Sequence, residues 1–449
     1  MEPRDTARAR DPHAGVRLNR DAGFIREQRR EAELVAGRER LQRSVLRDRL
    51  AILRRSGIWV PVGGARGGAA PSVGSPLPNP AVGPPSQQAI PFRRATTERV
   101  GILPSESQLI TANENPIQKT VEGAGYIYAF LLRVFANTAG NAAATAFQED
   151  GPWSALSSIV FEDVNAQVLN LTGYDAYLAN LINRAYAVRF QDQSTNTNLF
   201  NLVTGAGATG GSFAFVLRVP VATNRRDLRG VLANQDRAQK YLLRTNISGS
   251  AGIYSTAPTT LPTMNIEKYY ENYTVPLPSS PTGAKQEIIP RDFGTIHYST
   301  STLSDAAPVG GGQVNHFIRR LGNTTRWITL VARSNNSRST AETNFPTNIQ
   351  TKVGEDALFN ESWHYRKALF YERYGFDAPN GVVTYDWQHD FAAAAGFEFG
   401  DDWIHTQALV NAQFLITWPA GFGSTANSLK IVTDDLQYVE PSAGVAVAA

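Results

Sequence analysis

The glycine-rich segment Gly205–Gly210 is the first motif in this sequence that could do chemistry, because it spells G-x-G-x-x-G. In dinucleotide-binding proteins this pattern forms a tight turn, and the following helix directs its N-terminus at the pyrophosphate. Here the residues that follow, Ser212–Leu217, are mostly apolar and strand-like. A glycine-rich loop between two strands is therefore favoured over a dinucleotide site.

Two acidic motifs contain the donor types that bind metal ions. Asp401 and Asp402 are adjacent carboxylates of the kind that can hold Mg²⁺. Asp386, His389 and Asp390 form a D-x-x-H-D cluster. The first motif lacks a partner that would complete its site, and clusters of the second kind are more often surface hydrogen-bonding groups. The sequence has no G-x-S-x-G, P-loop or H-E-x-x-H motif, so we expect no catalytic residues, no cofactor and no enzymatic activity.

The composition suits a long β-rich chain. Of the 449 residues, 42% are hydrophobic and 18% are charged, and none is cysteine. This length predicts two or three domains, and the missing cysteines exclude disulfides and thiolate chemistry. No apolar run is long enough to span a membrane, and the N-terminus has no apolar signal core. We therefore expect synthesis in the cytoplasm.

Positive charge is concentrated at the N-terminus. The first 55 residues contain fifteen arginines, no lysine and nine acidic residues, a net charge of +6, whereas the whole chain carries +3. The rest of the chain is therefore slightly acidic. A basic arm on a near-neutral β-rich body is typical of proteins that form a shell around something to which the arm attaches.

The arm, residues 1–60, is predicted to contain an amphipathic helix over residues 21–55. Its apolar side carries Leu34, Leu41, Val45, Leu46, Ile52 and Leu53, and its basic side carries Arg26, Arg29, Arg40, Arg43, Arg47, Arg54 and Arg55. We predict that these residues bind a partner, which could be another protein, a lipid surface or nucleic acid. The nine acidic residues make nucleic acid the weakest of the three.

The arm is joined to the body by a predicted extended linker at residues 61–92. This stretch contains eight prolines and six glycines. Such a composition cannot hold a helix or a central strand, so an extended chain is expected.

Strand-like segments dominate the body, which is predicted to begin at residue 93. They are Tyr126–Phe135, Ser158–Glu162, Gln167–Leu171, Phe213–Pro220, Trp327–Ala332, Val382–Tyr385, Leu409–Trp418 and Leu429–Thr433. The helical patterns are Gly173–Ala187 after a possible cap at Thr172, Asn224–Leu243, and Asn360–Tyr374 before Gly375.

The order of these elements repeats after roughly 195 residues, with little sequence identity between the repeats. The matched pairs are Tyr126–Phe135 with Trp327–Ala332, Tyr174–Ala187 with Trp363–Tyr374, and Phe213–Val219 with Leu409–Trp418. The repeat predicts two β domains of similar plan, at residues 93–260 and 261–440, and a flexible tail at 441–449. Many strands, long loops and few helices are typical of sandwiches or jelly rolls.

Four segments carry a resemblance to a known family. They are Gly151–Asp163, Asn170–Leu178, Trp403–Trp418 and Leu429–Leu436. In pattern and order they resemble the major capsid proteins of tailless, membrane-containing bacteriophages of the tectivirus type. The resemblance covers roughly residues 100–440 and does not extend to the arginine-rich arm and linker, which exceed what the family leads us to expect.

The resemblance implies a mainly β fold of two tandem eight-stranded jelly rolls, a double jelly roll, behind the N-terminal helix and linker. It also implies a homotrimer that tiles an icosahedral shell over an internal membrane. The partners would be further copies of the chain, other capsid or vertex proteins and, through the arm, the internal membrane or neighbouring capsomers. The expected location is the virion, after synthesis in the host cytoplasm.

Three other interpretations stay open. One is a tailed-phage capsid protein with an N-terminal scaffold segment, which would need a long spine helix that the body does not show. Another is a single jelly-roll RNA-virus coat protein with a packaging arm. The third is a β-sandwich protein that binds glycans, which the missing signal peptide and disulfides disfavour.

Overall fold

The computed structural model describes residues 89–438, except residues 124, 139–140, 163–166, 184–194, 208, 224–227, 236–240, 280–284, 291–293, 306–310, 319–321, 335–336, 340, 342–344, 354–355, 389–403, 406–411 and 421–426. The chain divides into one unit at residues 1–84 and a second at 85–449. The described residues belong to the second unit.

Strands dominate both the N-terminal half (residues 98–273) and the C-terminal half (residues 295–438), which a connector at 274–294 joins. The N-terminal half contains β1 (Glu98–Leu109), β2 (Asn115–Val121), β3 (Gly125–Asn137), β4 (Asn141–Phe147), β5 (Leu156–Glu162), β6 (Gln167–Leu171), β7 (Asn201–Leu202), β8 (Gly205–Gly207), β9 (Phe213–Pro220), β10 (Leu232–Asn234), β11 (Tyr241–Ile247), β12 (Tyr254–Thr256) and β13 (Thr263–Tyr273). The C-terminal half contains β14 (Thr295–Asp305), β15 (Gly312–Phe317), β16 (Thr324–Ser334), β17 (Ser337–Arg338), β18 (Asn348–Val353), β19 (Asp356–Glu361), β20 (Val382–Asp386), β21 (Ile404–His405), β22 (Ala412–Trp418) and β23 (Asn427–Tyr438).

The helices of the described residues are short. They are α1 (Phe92–Ala95), α2 (Gly173–Ile182), α3 (Ser250–Ile253) and α4 (Trp363–Tyr374). The predicted cap at Thr172 begins α2, and Gly375 ends α4 in the left-handed conformation at φ 74°. Both predictions are confirmed.

The two halves repeat the same strand order in their sheets. In the N-terminal half one sheet runs β1-β13-β3-β9 and the other runs β2-β11-β5-β6. The C-terminal half follows with β14-β23-β16-β20 and β15-β22-β18-β19. Strand β6 pairs in parallel with β14, so one sheet of each half joins into a single continuous sheet. The predicted duplication is therefore present in the topology.

Two of the three matched pairs in the predicted repeat occupy equivalent positions. Strand β3 corresponds to β16, and α2 corresponds to α4. The third pair is wrong, because β9 lies in the same sheet as β3, whereas β22 lies in the opposite sheet of its half. The counterpart of β9 is β20. Both mismatched strands are long and apolar, and the sequence does not reveal to which sheet such a strand belongs.

The predicted helix Asn224–Leu243 is also wrong. Its described residues include β10 and the start of β11, which lies between β2 and β5. In β11 every second side chain is buried, from Tyr241 through Leu243 to Ile247. This alternation is the period of a half-buried strand, and the polar residues before it misled the helical interpretation.

Strand β13 lies beyond the predicted domain boundary at 260/261 but belongs to the N-terminal half. It pairs with β1 on one side and with β3 on the other, and Ile266 packs in their core. Because of this pairing, the boundary between the two halves lies in the connector, after Tyr273 and before Thr295.

Strand β16 shows why the continuous sheet can hold the two halves together. Its side chains are buried from Thr324 to Ala332. Trp327 and Val331 pack with the core of the N-terminal half, whereas Ile328 and Leu330 pack in the separate core of the C-terminal half. A strand buried on both faces has a continuous apolar sequence rather than an alternating one, which is why this strand was predictable.

Lys268 is an unusual member of the N-terminal core. Its side chain is fully buried on β13, and its Nζ has no hydrogen-bond partner among the described residues. Burial lowers the pKa of Lys268 from 10.5 to about 8, because the ammonium is removed from water and nearby Glu106 only partly compensates.

We expect Lys268→Met to stabilise the protein near neutral pH. Below about pH 8 the wild-type lysine is charged in both folded and unfolded chains, so the folded state carries the cost of a buried ammonium, on the order of 3 kcal/mol. As the pH rises from about 8 to 10.5 the folded lysine loses its proton, and the advantage of methionine should shrink.

Urea denaturation of both chains at neutral and alkaline pH would measure this difference. Lys367→Met is the control, because Lys367 is partly exposed on α4 and donates a hydrogen bond to Asn380 Oδ1 at 3.4 Å, so its loss should not stabilise the fold. A Lys268→Met chain that is less stable than wild type at pH 7 would contradict the prediction.

Candidate functional site

The glycine motif is part of a β structure. Gly205–Gly207 forms β8 and pairs with β4, and the chain continues through a turn into β9. No helix follows the glycines to present its N-terminus to a phosphate. The predicted loop between strands is therefore confirmed only for the turn at residues 209–211 that precedes β9, since Gly205–Gly207 is itself a strand.

Asp386 has a structural role at the end of β20. Its carboxylate accepts a hydrogen bond from the backbone N–H of Gln388 at 2.8 Å, pairs with Arg373 Nε at 3.2 Å, and accepts from the Tyr374 hydroxyl. It therefore ties the end of α4 to the strand. The other predicted metal-ligand candidates, His389, Asp390, Asp401 and Asp402, lie outside the described residues. Among the residues that are described, no group of three acidic or histidine side chains could hold a metal ion.

The predicted partner-binding residues of the arm also lie outside the described residues. They are Arg26, Arg29, Arg40, Arg43, Arg47, Arg54, Arg55, Leu34, Leu41, Val45, Leu46, Ile52 and Leu53. The helices within residues 89–438 that the structure describes are all too short or too polar to cross a bilayer.

The most elaborate polar structure of the described chain is the junction between the two halves, and α2 lies at its centre. The Thr172 side chain accepts a hydrogen bond from the Asp175 backbone N–H, and the Asp175 carboxylate accepts from the Thr172 N–H at 3.0 Å. This reciprocal capping box satisfies two N–H groups at the helix start. All ten residues of the helix are buried, because the C-terminal half covers the side that would otherwise face solvent.

The start of α2 is bonded across the junction to β23. Lys430 Nζ lies 2.6 Å from Asp175 Oδ2 and donates a hydrogen bond to Thr172 Oγ1 at 3.1 Å. Burial alone would raise the pKa of Asp175, but Lys430 and the capping hydrogen bonds outweigh burial and hold the pKa below its usual value. The carboxylate therefore stays ionised in an enclosed site.

A second buried network surrounds Asp434 on β23. Its carboxylate accepts from His297 Nε2 at 2.9 Å and from Arg326 Nη1, and all three side chains are almost completely buried. His297 Nδ1 lies 3.1 Å from the Val221 carbonyl oxygen, and Arg326 Nη2 lies 3.5 Å from Asn183 Oδ1. The network therefore spans both halves. Despite burial, Arg326 and His297 lower the pKa of Asp434.

A third ionic contact between the halves is formed by Asp150, which lies between β4 and β5. Asp150 of the N-terminal half binds Arg333 Nη2 at 2.8 Å and Arg338 Nε at 3.0 Å, both from the C-terminal half. The Arg338 guanidinium also lies over the Tyr174 ring, 5.2 Å from its centroid. A cleft of about 610 Å³ opens beside this contact and is lined by both halves, including Trp153 stacked on Tyr177 at 3.7 Å.

Sequence reasoning missed these junction residues. It identified Thr172 as a cap but did not recognise the Thr-x-x-Asp capping box that fixes Asp175. The clearest remaining signal was the pair of adjacent acids, Asp434 and Asp435, that directly follows the strand-like segment Leu429–Thr433. Buried acids in a strand require partners, but the sequence does not show which cations supply them.

We expect Asp434→Asn to destabilise the folded chain by about 3–5 kcal/mol, because Arg326 would remain buried without its counterion. Urea denaturation of the full chain would measure the loss. Glu267→Gln is a matched control, since the Arg133–Glu267 pair is partly exposed and should contribute less than about 1 kcal/mol. Equal losses in the two variants would argue against a special role of the buried network.

The topology described above occurs in solved viral capsid proteins. No family model and no curated protein matches the sequence. The structure is similar to that of the major capsid protein of STIV, the Sulfolobus Turreted Icosahedral Virus, with a TM-score of 0.52 at 10% identity, over 78% of this chain and 100% of that chain. It is also similar to the PBCV-1 virus capsid chain, with a TM-score of 0.50 at 10% identity, over 76% of this chain and 94% of that chain. This chain has the double jelly-roll fold that those capsid proteins share.

Proposed function

We propose that this chain is a viral major capsid protein that is made in the host cytoplasm and assembles into the icosahedral shell of a virion. The observation that carries the proposal is the repeated sheet order in a single chain. The two halves have the same strand order and are joined through one continuous sheet, as expected of a protein that builds a shell from repeated β domains. The similarity to the STIV and PBCV-1 capsid chains supports it.

The role we propose is structural, without enzymatic activity. Four of the buried or half-buried carboxylates of the described chain are engaged in ion pairs that hold elements together: Asp150, Asp175, Asp386 and Asp434. For Asp175 and Asp434 the neighbouring cations lower the pKa below its usual value, which makes these two carboxylates poor general bases near neutral pH.

We further propose that each half is one eight-stranded jelly roll. The first comprises β1, β2, β3, β5, β6, β9, β11 and β13, and the second comprises β14, β15, β16, β18, β19, β20, β22 and β23. The remaining short strands lie in the connections between these sixteen. The strand pairing supports this division, which lies in the connector rather than at residue 260.

The assembly unit that we propose is a homotrimer, in which six similar half-chains surround one axis and further copies, with other capsid or vertex proteins, complete the shell. The native mass of the purified full chain, measured by light scattering, tests this unit. We expect three times the 49.0 kDa of one chain, followed by larger particles. A stable monomer that forms no particles would contradict the proposal.

For the arm we propose contact with the internal membrane or with neighbouring capsomers. The support is its two-faced pattern, with six aliphatic residues at 34, 41, 45, 46, 52 and 53 opposite seven arginines at 26, 29, 40, 43, 47, 54 and 55. The body is slightly acidic, so an attraction to anionic lipid would have to come from the arm.

Deleting residues 1–60 should leave soluble trimers but prevent normal particle formation, because the body contacts are retained and the arm contacts are lost. Electron microscopy and native mass would separate the two outcomes. Normal particles from the truncated chain would contradict the proposed role of the arm.

A matched pair of full-length variants identifies the arm's partner. One replaces the seven arginines of the basic side with glutamine; the control replaces seven other arginines of the arm, Arg4, Arg8, Arg10, Arg17, Arg20, Arg30 and Arg38, so that both lose the same charge. Only the first should lose binding to anionic vesicles. Salt-sensitive retention of nucleic acid by wild type, with no vesicle binding, would instead favour a packaging arm.

A further inference from the structure

The equivalent helices α2 and α4 differ sharply in burial. Each packs against the equivalent strand of its own half, β9 or β20. Helix α2 is buried throughout, whereas one face of α4 is exposed, with Tyr365 and Tyr371 each 55% accessible. Counted from the caps Thr172 and Ser362, these tyrosines correspond to Asp175 and Leu181 of α2.

The corresponding face of α2 is the one that meets the other half of the chain. Asp175 binds Lys430, the neighbouring Tyr174 lies beneath Arg338, and Leu181 shares the inter-half cleft with Phe376. The exposed face of α4 is therefore equivalent to the surface through which α2 contacts the other half of the chain. Two large aromatic residues at the two edges of such a surface, six positions apart, suit a protein contact better than solvent.

The strands beside these helices show the same asymmetry. Strand β6 pairs with β14, placing Leu169 beside Ser299. Their counterparts β19 and β1 each form the last strand of their sheet among the described residues. Phe359 on β19 precedes its helix cap by three residues, as Leu169 does, and is 36% exposed, while Leu358 is 47% exposed.

Among the described residues, the outer face of the β1 sheet is covered less completely than its counterpart, and it is most exposed along β1 itself. In the C-terminal half, Trp327, Val331, Val382 and Val432 point to the N-terminal half and are buried in its core cluster. On the corresponding face of the N-terminal half, Ile102 is 73% exposed. It begins a cross-strand row that continues through Tyr269 and Leu131, both partly exposed, with Val100 beside it at 61%.

We propose that the α4–β19 surface of one copy docks on the outer face of the β1 sheet and along its β1 edge in a second copy, repeating between chains the contact that α2 and β6 make with the β14 sheet within the chain. The inference rests on the proposed capsid function and names the residues of its self-association. The two surfaces differ, so the contact is head-to-tail and can close into a ring. Phe359 would lie near Val100 and Ile102 of the partner, extending the sheet across the boundary.

Charge placed on either surface tests the contact. Ile102→Glu alters the β1 sheet, and Tyr365→Glu with Tyr371→Glu alters α4; all three side chains are well exposed, so the folds should persist, which circular dichroism would verify. Each variant alone should fall from three times 49.0 kDa to a single chain. An equimolar mixture should form two-chain species, because each mixed pair retains one intact head-to-tail contact but cannot close the ring.

Leu277→Glu is the control, since Leu277 is 69% exposed on the connector and lies on neither surface; it should remain trimeric. Variants that stay trimeric, or a mixture that stays monomeric, would overturn the proposed contact while leaving the capsid function intact. A wild-type chain that never trimerises would instead contradict both the proposed contact and the proposed capsid function.

Cysteine cross-linking gives an independent measurement, because the chain contains no cysteine of its own. Full-length protein with Ile102→Cys and Phe359→Cys, treated with a short bis-maleimide, should yield covalent species of two and three chains, and either single variant should yield none. Cross-linking by a single variant, or none by the double variant in trimeric protein, would argue for a different interface.

Discussion

The junction between the two halves depends on one constraint: every charge that the contact removes from water must meet an opposite charge at hydrogen-bond distance. Asp434, Arg326 and His297 are enclosed together, and Asp175 depends on Lys430. A pair of this kind adds little net stability compared with apolar packing, but it makes any displaced arrangement costly, because a shift leaves a buried ion unpaired. The buried ion pairs of the junction therefore fix the relative position of the two halves more than they add to stability. Apolar packing around Trp327 and Val432 supplies the stability.

The fixed geometry explains how a duplicated fold becomes asymmetric. Each half has one surface formed by a helix and an edge strand and another formed by a sheet face. Within the chain, the first surface of the N-terminal half covers the second surface of the C-terminal half. The other two surfaces have no such cover among the described residues. The exposed apolar residues of β1, β19 and α4 lie on these two surfaces. Exposed apolar residues in single positions are common in proteins, but here their placement follows the duplication, which is what makes them informative.

The sequence predicted the fold where a local pattern is sufficient and failed where partners decide. Strand β16 was recognisable because both of its faces are buried, and the end of α4 because Gly375 is a typical end residue. The predicted start at Asn360 was too early, since the helix begins after the cap at Ser362. The helix predicted over Asn224–Leu243 failed because alternation in β11 becomes meaningful only once β2 and β5 lie beside it. The junction residues were missed for the same reason: Asp434 acquires its role from His297, 137 positions away. Long-range pairing of this kind leaves no local signature.

In the assembly that we propose, the arm and the body would contribute forces of different range. Contacts between bodies, as we propose them, are apolar and short-ranged, so they require a rigid surface and respond little to salt. The arm carries its excess of arginine on a chain segment that a proline-rich linker separates from the body, and charge attraction acts over roughly 8–10 Å at physiological ionic strength. An arm of this kind can find an anionic surface before the bodies are aligned, and each attached copy then raises the local concentration of the next. In the assembly that we propose, the two forces are complementary: the arm would gather copies loosely, and the body surfaces would decide the angle at which they join. A chain with only the first would condense without order, and a chain with only the second would form capsomers without a surface on which to tile them.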